Sequence, residues 1–206
     1  MKKLFAVILT AVLAAPAGAS DVMEIFVNAA AEGRIYDSVF GADEIGEIKP
    51  RSAAELISEA AGLNVTSKTF PLLQAHAFMN GGSFEQTLIL LDGVRMNSVQ
   101  TGHYNFDLPF TMLDLASAGV SARPGYGSFA GYVDLKTIRH KKDSLKAAAE
   151  YGSYNTWYSA LSGTKTLGDF SGTVSAEKSG SDGYHKATDY STVTYFMKIE
   201  NRSFGY

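Results

Sequence analysis

Hydrophobic and polar positions change their spacing along this chain, and the clearest apolar run lies at 87–94. The run reads Thr-Leu-Ile-Leu-Leu-Asp-Gly-Val and is rich in branched side chains. Because it is short and is closed by the pair Asp92–Gly93, it predicts a buried strand that ends in a turn. The polar residues after it are Arg95, Asn97, Ser98, Gln100, Thr101, Gly102, His103 and Asn105. Such residues cannot form a core, so we expect a surface loop, a common place for recognition.

A helix is predicted within 43–61. Ser52 suits the N-cap, Glu55 stands three residues later as in a capping box, and Gly62 ends the helix. The apolar face would consist of Leu56, Ile57 and Ala60. The following residues 63–66, Leu-Asn-Val-Thr, predict a short strand. A helix among several short strands indicates an α+β domain.

From residue 144 onward, apolar and polar positions alternate with a period of two. The apolar series are Leu145, Ala147, Ala149 and Tyr151, then Phe170, Gly172, Val174 and Ala176, then Val193, Tyr195, Met197 and Ile199. Only Phe196 breaks the third series, and 154–166 is a less regular strand that contains Trp157. Alternating segments of about ten residues with aromatic ends are typical of transmembrane β-barrel strands. A soluble β-sandwich would show similar alternation.

The connections between these strands favour the barrel. Segment 166–169 is a short turn, whereas 179–188 is long, polar and contains glycine. Outer-membrane barrels have short periplasmic turns and longer extracellular loops. If the first strand runs outward from the periplasm, the short turn at 166–169 lies on the periplasmic side and the long loop at 179–188 lies on the extracellular side.

The first nineteen residues have the properties of a signal peptide. Lys2 and Lys3 form a positive start, 4–15 is apolar, and 17–19 (Ala-Gly-Ala) is a small-residue cleavage site. The apolar part is shorter than the roughly 20 residues that span a bilayer, although an uncleaved anchor is the alternative. No later segment has 18 consecutive apolar residues, so we expect no transmembrane helix after cleavage.

Composition and motif spacing argue against several classes of function. The chain has 206 residues, no cysteine and a formal net charge of −3, which gives neither thiolate metal sites nor the basic patch of a nucleic-acid binder. The histidines at 76, 103, 140 and 185 lack the spacing of a zinc site or a catalytic triad. His103 alone lies in the polar loop, where we interpret it as a solvated loop histidine, with a ligand contact as the alternative.

One glycine-containing stretch, 125–130, fits the loose dinucleotide fingerprint G-x-G-x-x-A. That fingerprint needs a helix after it, whereas residues 131–137 predict a strand, so we reject it. Ser128 is not a nucleophile elbow either, because Tyr126 stands where that motif has glycine. The sequence therefore predicts neither an enzyme nor a bound cofactor.

Residues 81–109, GGSFEQTLILLDGVRMNSVQTGHYNFDLP, resemble the plug domain of TonB-dependent outer-membrane receptors almost continuously. Segments 54–65 (AELISEAAGLNV) and 129–137 (FAGYVDLKT) are also similar to stretches of that family. In this plug-like region the chain departs from the family pattern in four places. These are Asn80 in place of arginine, Ala61 in place of proline, the altered segment 119–125 and the shortened segment 123–131.

Segment 21–29 follows the cleavage site and is β-prone, which suits capture as an added strand by the sheet edge of a partner. In the resembled family this place holds the TonB box, usually with threonine where Asn28 stands. The corresponding residues are Glu24, Ile25, Phe26, Val27, Asn28 and Ala29. An ordinary first strand of the plug is the alternative.

The resemblance implies an α+β plug domain followed by antiparallel transmembrane β-barrel strands, a partial barrel of about four strands. The expected segments are a signal peptide at 1–19, a TonB-box-like segment at 20–42, the plug at 43–142 and the first barrel strands at 143–206. Since the smallest membrane barrels have about eight strands, we expect either the front of a longer receptor or a truncated product.

The function implied by the resemblance is energy-coupled uptake of a metal chelate, such as a siderophore or a cobalamin-like compound, across the outer membrane. The implied partners are a TonB-type coupling protein of the inner membrane, outer-membrane lipid and the chelate or vitamin ligand, without nucleic acid. Apical plug loops would contact the ligand through Phe78, Asn80, Gly81, Gly82, Ser83, Ser98, Gln100, Thr101, Gly102, His103, Tyr104 and Asn105. The alternative is a truncated, non-transporting plug module in the periplasm, or the product of a decayed gene.

Overall fold

The computed structural model describes residues 36–67, 74–104, 106–125 and 127–201. The predicted signal peptide, the TonB-box-like residues and Asn105 lie outside these ranges. The described residues form two compact units. The first unit comprises 36–108 and 115–138, and the second comprises 109–114 and 139–201.

Two short helices, α1 (Ala42–Ile48) and α2 (Ala53–Ser58), occupy the region for which one helix is predicted. The cap of α2 is confirmed, because the Ser52 hydroxyl accepts a hydrogen bond from the Glu55 amide at 3.1 Å. Leu56 and Ile57 are fully buried, as expected. The predicted end at Gly62 is wrong, since α2 stops at Ser58. Neither helix has the length or the apolar character needed to cross a lipid bilayer.

The first unit contains a five-stranded and a two-stranded sheet. Its strands in chain order are β1 (Ser38–Phe40), β2 (Leu63–Thr66), β3 (His76–Met79), β4 (Thr87–Leu91), β5 (Val94–Arg95), β6 (Leu115–Ser121) and β7 (Gly131–Thr137). The large sheet has the order β1-β6-β7-β4-β5, with β4 parallel to β7, and β2 pairs with β3 in the small one. The predicted strand β2 is confirmed.

Strand β4 is the buried strand that the apolar run predicts. Leu88, Ile89 and Leu90 are all nearly inaccessible to solvent. The turn after it forms at Asp92 and Gly93, whose φ angles are 50° and 83°. Consecutive positive φ angles suit a tight hairpin turn, which explains the Asp-Gly pair. The Asp92 carboxylate accepts a 2.8 Å hydrogen bond from the Thr137 amide, so the turn is also tied to β7.

A strand, β7, follows the glycine-containing stretch, as predicted. Gly131 begins this strand with φ of 147°, and a Cβ there would collide with the carbonyl oxygen of Ser121. Only glycine permits this approach of β7 to the end of β6. Ser128 is buried, and its hydroxyl accepts a hydrogen bond from the Gly131 amide at 2.8 Å. Its role is therefore to shape the turn.

The second unit is a four-stranded antiparallel sheet in which neighbours in sequence are neighbours in space. Its strands are β8 (Ser144–Gly152), β9 (Thr156–Leu167), β10 (Phe170–Ser181) and β11 (Tyr190–Asn201). The turn between β9 and β10 is Gly168–Asp169, and the connection from β10 to β11 covers 182–189. Both connections are close to their predicted positions.

The register of this sheet places the predicted apolar positions on one face. Val174 is opposite Met197 on β11 and Gly163 on β9, and Ala147 is opposite Leu161. The face is largely exposed, with Val174 64% accessible. A continuous exposed apolar face is what lipid-facing barrel strands require.

The opposite face of the same sheet is polar and is covered in part by 109–114. The Asp114 carboxylate is buried there and accepts hydrogen bonds from Ser162 (2.9 Å) and Ser175 (2.7 Å). Glu177 accepts one from the Met112 amide at 3.1 Å. These donors compensate for the loss of water around the carboxylates, so a polar strand face can be buried.

Candidate functional site

Three loop segments of the first unit meet around a single 3₁₀ turn, Phe84–Gln86. The Gln86 carbonyl oxygen accepts a 3.1 Å hydrogen bond from the Ala130 amide. A Cβ on Gly102 would lie 3.1 Å from Cβ of Glu85, which shows how closely the polar loop packs on this turn. We call 78–86, 98–104 and the described residues of 122–130 the loop cluster.

Asn97 forms the base of the polar loop and is buried, with 4% of its surface accessible. Its side-chain oxygen accepts a hydrogen bond from the Ile89 amide at 2.7 Å. Its side-chain nitrogen donates to the carbonyl oxygens of Thr87 (3.0 Å) and Gly102 (2.9 Å). The expectation that Asn97 lies on the surface is wrong, because these backbone groups take the place of water around its amide.

The loop that follows is exposed at its tip, as predicted. Ser98, Gln100 and Thr101 are accessible to solvent. Two backbone hydrogen bonds close the loop, from the Ser98 amide to the His103 carbonyl (3.0 Å) and from the Gly102 amide to the Ser98 carbonyl (2.8 Å). Its conformation is therefore defined by its own backbone as well as by Asn97.

Two histidines that are far apart in sequence meet at the loop cluster. The Nε2 atoms of His76, on β3, and His103, in the polar loop, are 2.8 Å apart, which is a hydrogen-bond distance. Phe84 stacks on His76 with ring centroids 4.4 Å apart, and the rings of Phe78 and Phe84 form a T-shaped pair with centroids 5.7 Å apart. We call His76, Phe78, Phe84 and His103 the aromatic–histidine cluster. The interpretation of His103 as a solvated histidine is wrong, since it is half-buried and hydrogen-bonded.

Charge at this cluster comes from Glu85, which is exposed on the same 3₁₀ turn. A hydrogen bond from the Ser83 side chain and the interaction with His103 and His76 lower the pKa of Glu85. The neighbouring Tyr104 is different, because burial raises its pKa to about 12. The site thus presents an anionic Glu85 and a neutral Tyr104 at physiological pH.

The other predicted loop, at 78–83, is joined to the third segment. Asn80 has a positive φ of 51° and donates hydrogen bonds to the carbonyl oxygens of Ala122 and Ala130, the latter at 3.0 Å. Gly82 packs so closely that a Cβ there would be 2.7 Å from Cβ of Ala130. Gly81 and Ser83 are exposed.

The structure therefore unites the two predicted ligand loops and adds members that sequence reasoning missed. The missed residues are His76, Phe84, Glu85 and the exposed Phe129. Phe84 and Glu85 lie within the plug-like run 81–109, between the two predicted loops, and this position in the sequence indicates that they belong to the same site. His76 carries no such signal, because its partner is 27 positions away.

The remaining histidines lie in the second unit. His140 is buried, and its Nδ1 atom is 3.1 Å from the Ser144 hydroxyl. Burial lowers the pKa of His140, and the positive charge of the nearby Lys146 lowers it further. His185 is exposed in the 182–189 connection. In the part of the chain that the structure describes, no three His, Asp or Glu side chains are grouped so as to hold a metal ion.

Aromatic faces, imidazoles, amides and hydroxyls suit non-covalent recognition. A family model described as TonB-dependent Receptor Plug Domain matches residues 35–131. Comparison with curated protein sequences gives no match.

Several solved structures share the fold. One is FpvA of P. aeruginosa in complex with a pyoverdine and iron, at 14% identity and a TM-score of 0.64, covering 79% of this chain and 22% of FpvA. The FrpB iron transporter of Neisseria meningitidis has 14% identity and a TM-score of 0.61, with 80% and 29% covered. The siderophore receptor PiuA of Acinetobacter baumannii has 18% identity and a TM-score of 0.61, with 79% and 23% covered. This chain thus spans less than a third of the length of each of these structures.

Proposed function

We propose that this chain, whose residues 35–131 match the family model of the TonB-dependent receptor plug domain, supplies the plug and first barrel strands of an outer-membrane receptor for energy-coupled uptake. One observation carries the proposal. A domain that matches the plug-family model is followed along the chain by a meander of four antiparallel strands, apolar on one face and polar on the other. In this proposal the apolar face contacts lipid hydrocarbon and the polar face lines the lumen.

The proposed cargo is a metal chelate, either a siderophore or a cobalamin-like compound. The names of similar structures support a siderophore, since FpvA is described with a ferric pyoverdine and PiuA as a siderophore receptor. The loop cluster supports recognition of a compound with aromatic and polar groups, because it combines Phe84, Phe129 and the exposed tip at 98–101. The plug would gate the lumen and the loop cluster would contact the chelate.

Energy coupling is proposed to enter through Glu24–Ala29, captured as an added strand by a TonB-type protein. Val27→Pro removes a backbone donor in the middle of that strand, so uptake is expected to fall to the background of cells that lack the coupling protein. Binding of the chelate at the cell surface is expected to stay unchanged. The measurement is uptake of a radiolabelled ferric chelate by cells that carry the whole gene.

Asn28→Thr is the matched control, because threonine is the usual family residue there and should preserve uptake. Unchanged uptake after deletion of Glu24–Ala29 would rule out this coupling segment. Fractionation tests the location separately: recovery with the outer membrane supports a receptor, whereas recovery in the periplasmic extract supports the plug-module alternative.

A further inference from the structure

The hydrogen bond between His76 and His103 joins two segments that the backbone does not join directly. His76 belongs to β3, opposite Thr66 of β2, and His103 closes the polar loop. We propose that this pair is a proton-sensitive clasp, which fixes loop 98–104 against β3 while at least one imidazole is neutral and releases it when both are protonated. The device lies within the first unit and does not depend on the barrel strands.

The chemistry of imidazole supplies the switch. A hydrogen bond between two Nε2 atoms 2.8 Å apart needs one nitrogen that donates and one that accepts. A neutral pair satisfies this, and so does a pair that carries one proton more. When both rings are imidazolium, both nitrogens are donors and two positive charges face each other, so the bond is lost and the rings repel.

The groups around the pair come from several elements. On the 3₁₀ turn, Glu85 interacts electrostatically with both histidines, and Phe84 covers the face of His76. From β2, the residue opposite is Thr66, which does not titrate. In the loop itself, the neighbouring Tyr104 remains neutral because burial raises its pKa. Among the described residues, Glu85 thus places a negative charge beside the pair.

Release would be confined to the loop. Asn97 holds the base of the loop through the Gly102 carbonyl oxygen at 2.9 Å, and its amide does not titrate. The backbone hydrogen bond from the Ser98 amide to the His103 carbonyl, at 3.0 Å, involves a residue of the clasp itself. We therefore expect acid to loosen the tip of the loop while β4 and the rest of the first unit stay folded.

The consequence for function rests on the proposed function, in which loop 98–104 contacts a chelate. Acid would then weaken binding by loosening a surface that is preorganised at neutral pH. The clasp itself is a property of the ligand-free chain and can be tested without a ligand. Its failure would leave the receptor proposal intact, and failure of uptake would leave the clasp intact.

The test is amide hydrogen exchange of peptide 98–104 in the whole folded chain, between about pH 4.5 and pH 8, normalised for the intrinsic exchange rate. Protection of this peptide is expected to fall by about tenfold at the acid end, the equilibrium equivalent of one hydrogen bond. Protection of the peptide that contains β4 is expected to stay constant.

The decisive variant is His103→Gln, because glutamine can still hydrogen-bond to His76 but does not titrate. Its loop is expected to be protected equally at both ends of the range. His185→Gln, at the exposed histidine of the second unit, is the matched control and should keep the wild-type response. Protection of 98–104 that does not change with pH in the wild type, or that changes equally in His103→Gln, would overturn the clasp.

Discussion

At the scale of single residues, Asn97 shows how one side chain can determine a loop. Its side-chain oxygen accepts a hydrogen bond from the Ile89 amide, and its side-chain nitrogen donates to the carbonyl oxygens of Thr87 and Gly102. The side chain therefore bridges β4 and the loop that leaves β5. An amide has both donors and an acceptor, and few other side chains offer this combination. Burial of a polar residue is therefore favourable here because its hydrogen bonds are met.

Replacement of Asn97 tests whether this side chain anchors the loop. Asn97→Ala is expected to lower the free energy of unfolding by about 2–4 kcal/mol, because the buried Ile89 amide and Thr87 carbonyl lose a partner. Urea denaturation measures this change. Gln100→Ala, at an exposed position of the same loop, is the control and should change stability by less than about 0.5 kcal/mol. Equal effects of the two substitutions would contradict an anchoring role.

The histidine pair belongs to the same scale. His76 and His103 are 27 positions apart, and nothing in their spacing predicts a contact. The pairing follows from the position of β3 beside the polar loop, and Phe84 completes the cluster by stacking at 4.4 Å. A side chain whose surroundings come from three separate segments cannot be assigned a role from its own neighbours in sequence.

At the scale of elements, α2 and α1 differ in how far neighbouring residues in the sequence predict them. Helix α2 has a side-chain cap and four buried residues, among them Leu56 and Ile57, and both features are visible as a pattern. Helix α1 buries none of its residues, so it has no apolar face from which it could be predicted. Its N-terminus is instead held by the Glu44 carboxylate, which accepts a hydrogen bond from the Gly41 amide at 3.0 Å.

The cap of α2 supports a prediction of its own. Ser52→Ala removes the acceptor of the Glu55 amide and should destabilise the chain by about 1 kcal/mol in urea denaturation. Ser52→Asp keeps an acceptor at the same place and is expected to restore most of that loss. If alanine and aspartate behave alike, the hydroxyl contributes nothing as a cap.

At the scale of the whole molecule, the two faces of the sheet β8–β11 have different partners. The face with Val174 and Met197 is exposed and apolar, whereas the face with Ser162 and Ser175 is polar and contacts Asp114. Exposed apolar surface of this extent marks a binding or membrane surface in general. Under the proposed function, this face is the one that meets lipid.

A lysine placed on either face of this sheet tests which face meets lipid. Val174→Lys places a charge on the apolar face and should oppose insertion by about 2–4 kcal/mol if that face meets the middle of the bilayer. Thr194→Lys, on the polar face of β11 and opposite Glu177, is the matched control and should insert normally. The fraction of chain recovered with the outer membrane after a urea wash is the measurement. Equal recovery of both variants would contradict a lipid-facing surface.

The sequence alone determines those features that depend on local periodicity. The alternation in β8–β11, the buried run of β4, the Asp92–Gly93 turn and the Ser52 cap all arise from neighbours in the chain. Tertiary structure decides the rest, because a polar group is buried only where distant partners satisfy it. The 2.8 Å approach of His76 to His103, the burial of Asn97 and the bonds of Asp114 to Ser162 and Ser175 are of this kind. Their partners come from other elements, so their roles exist only once the chain has folded.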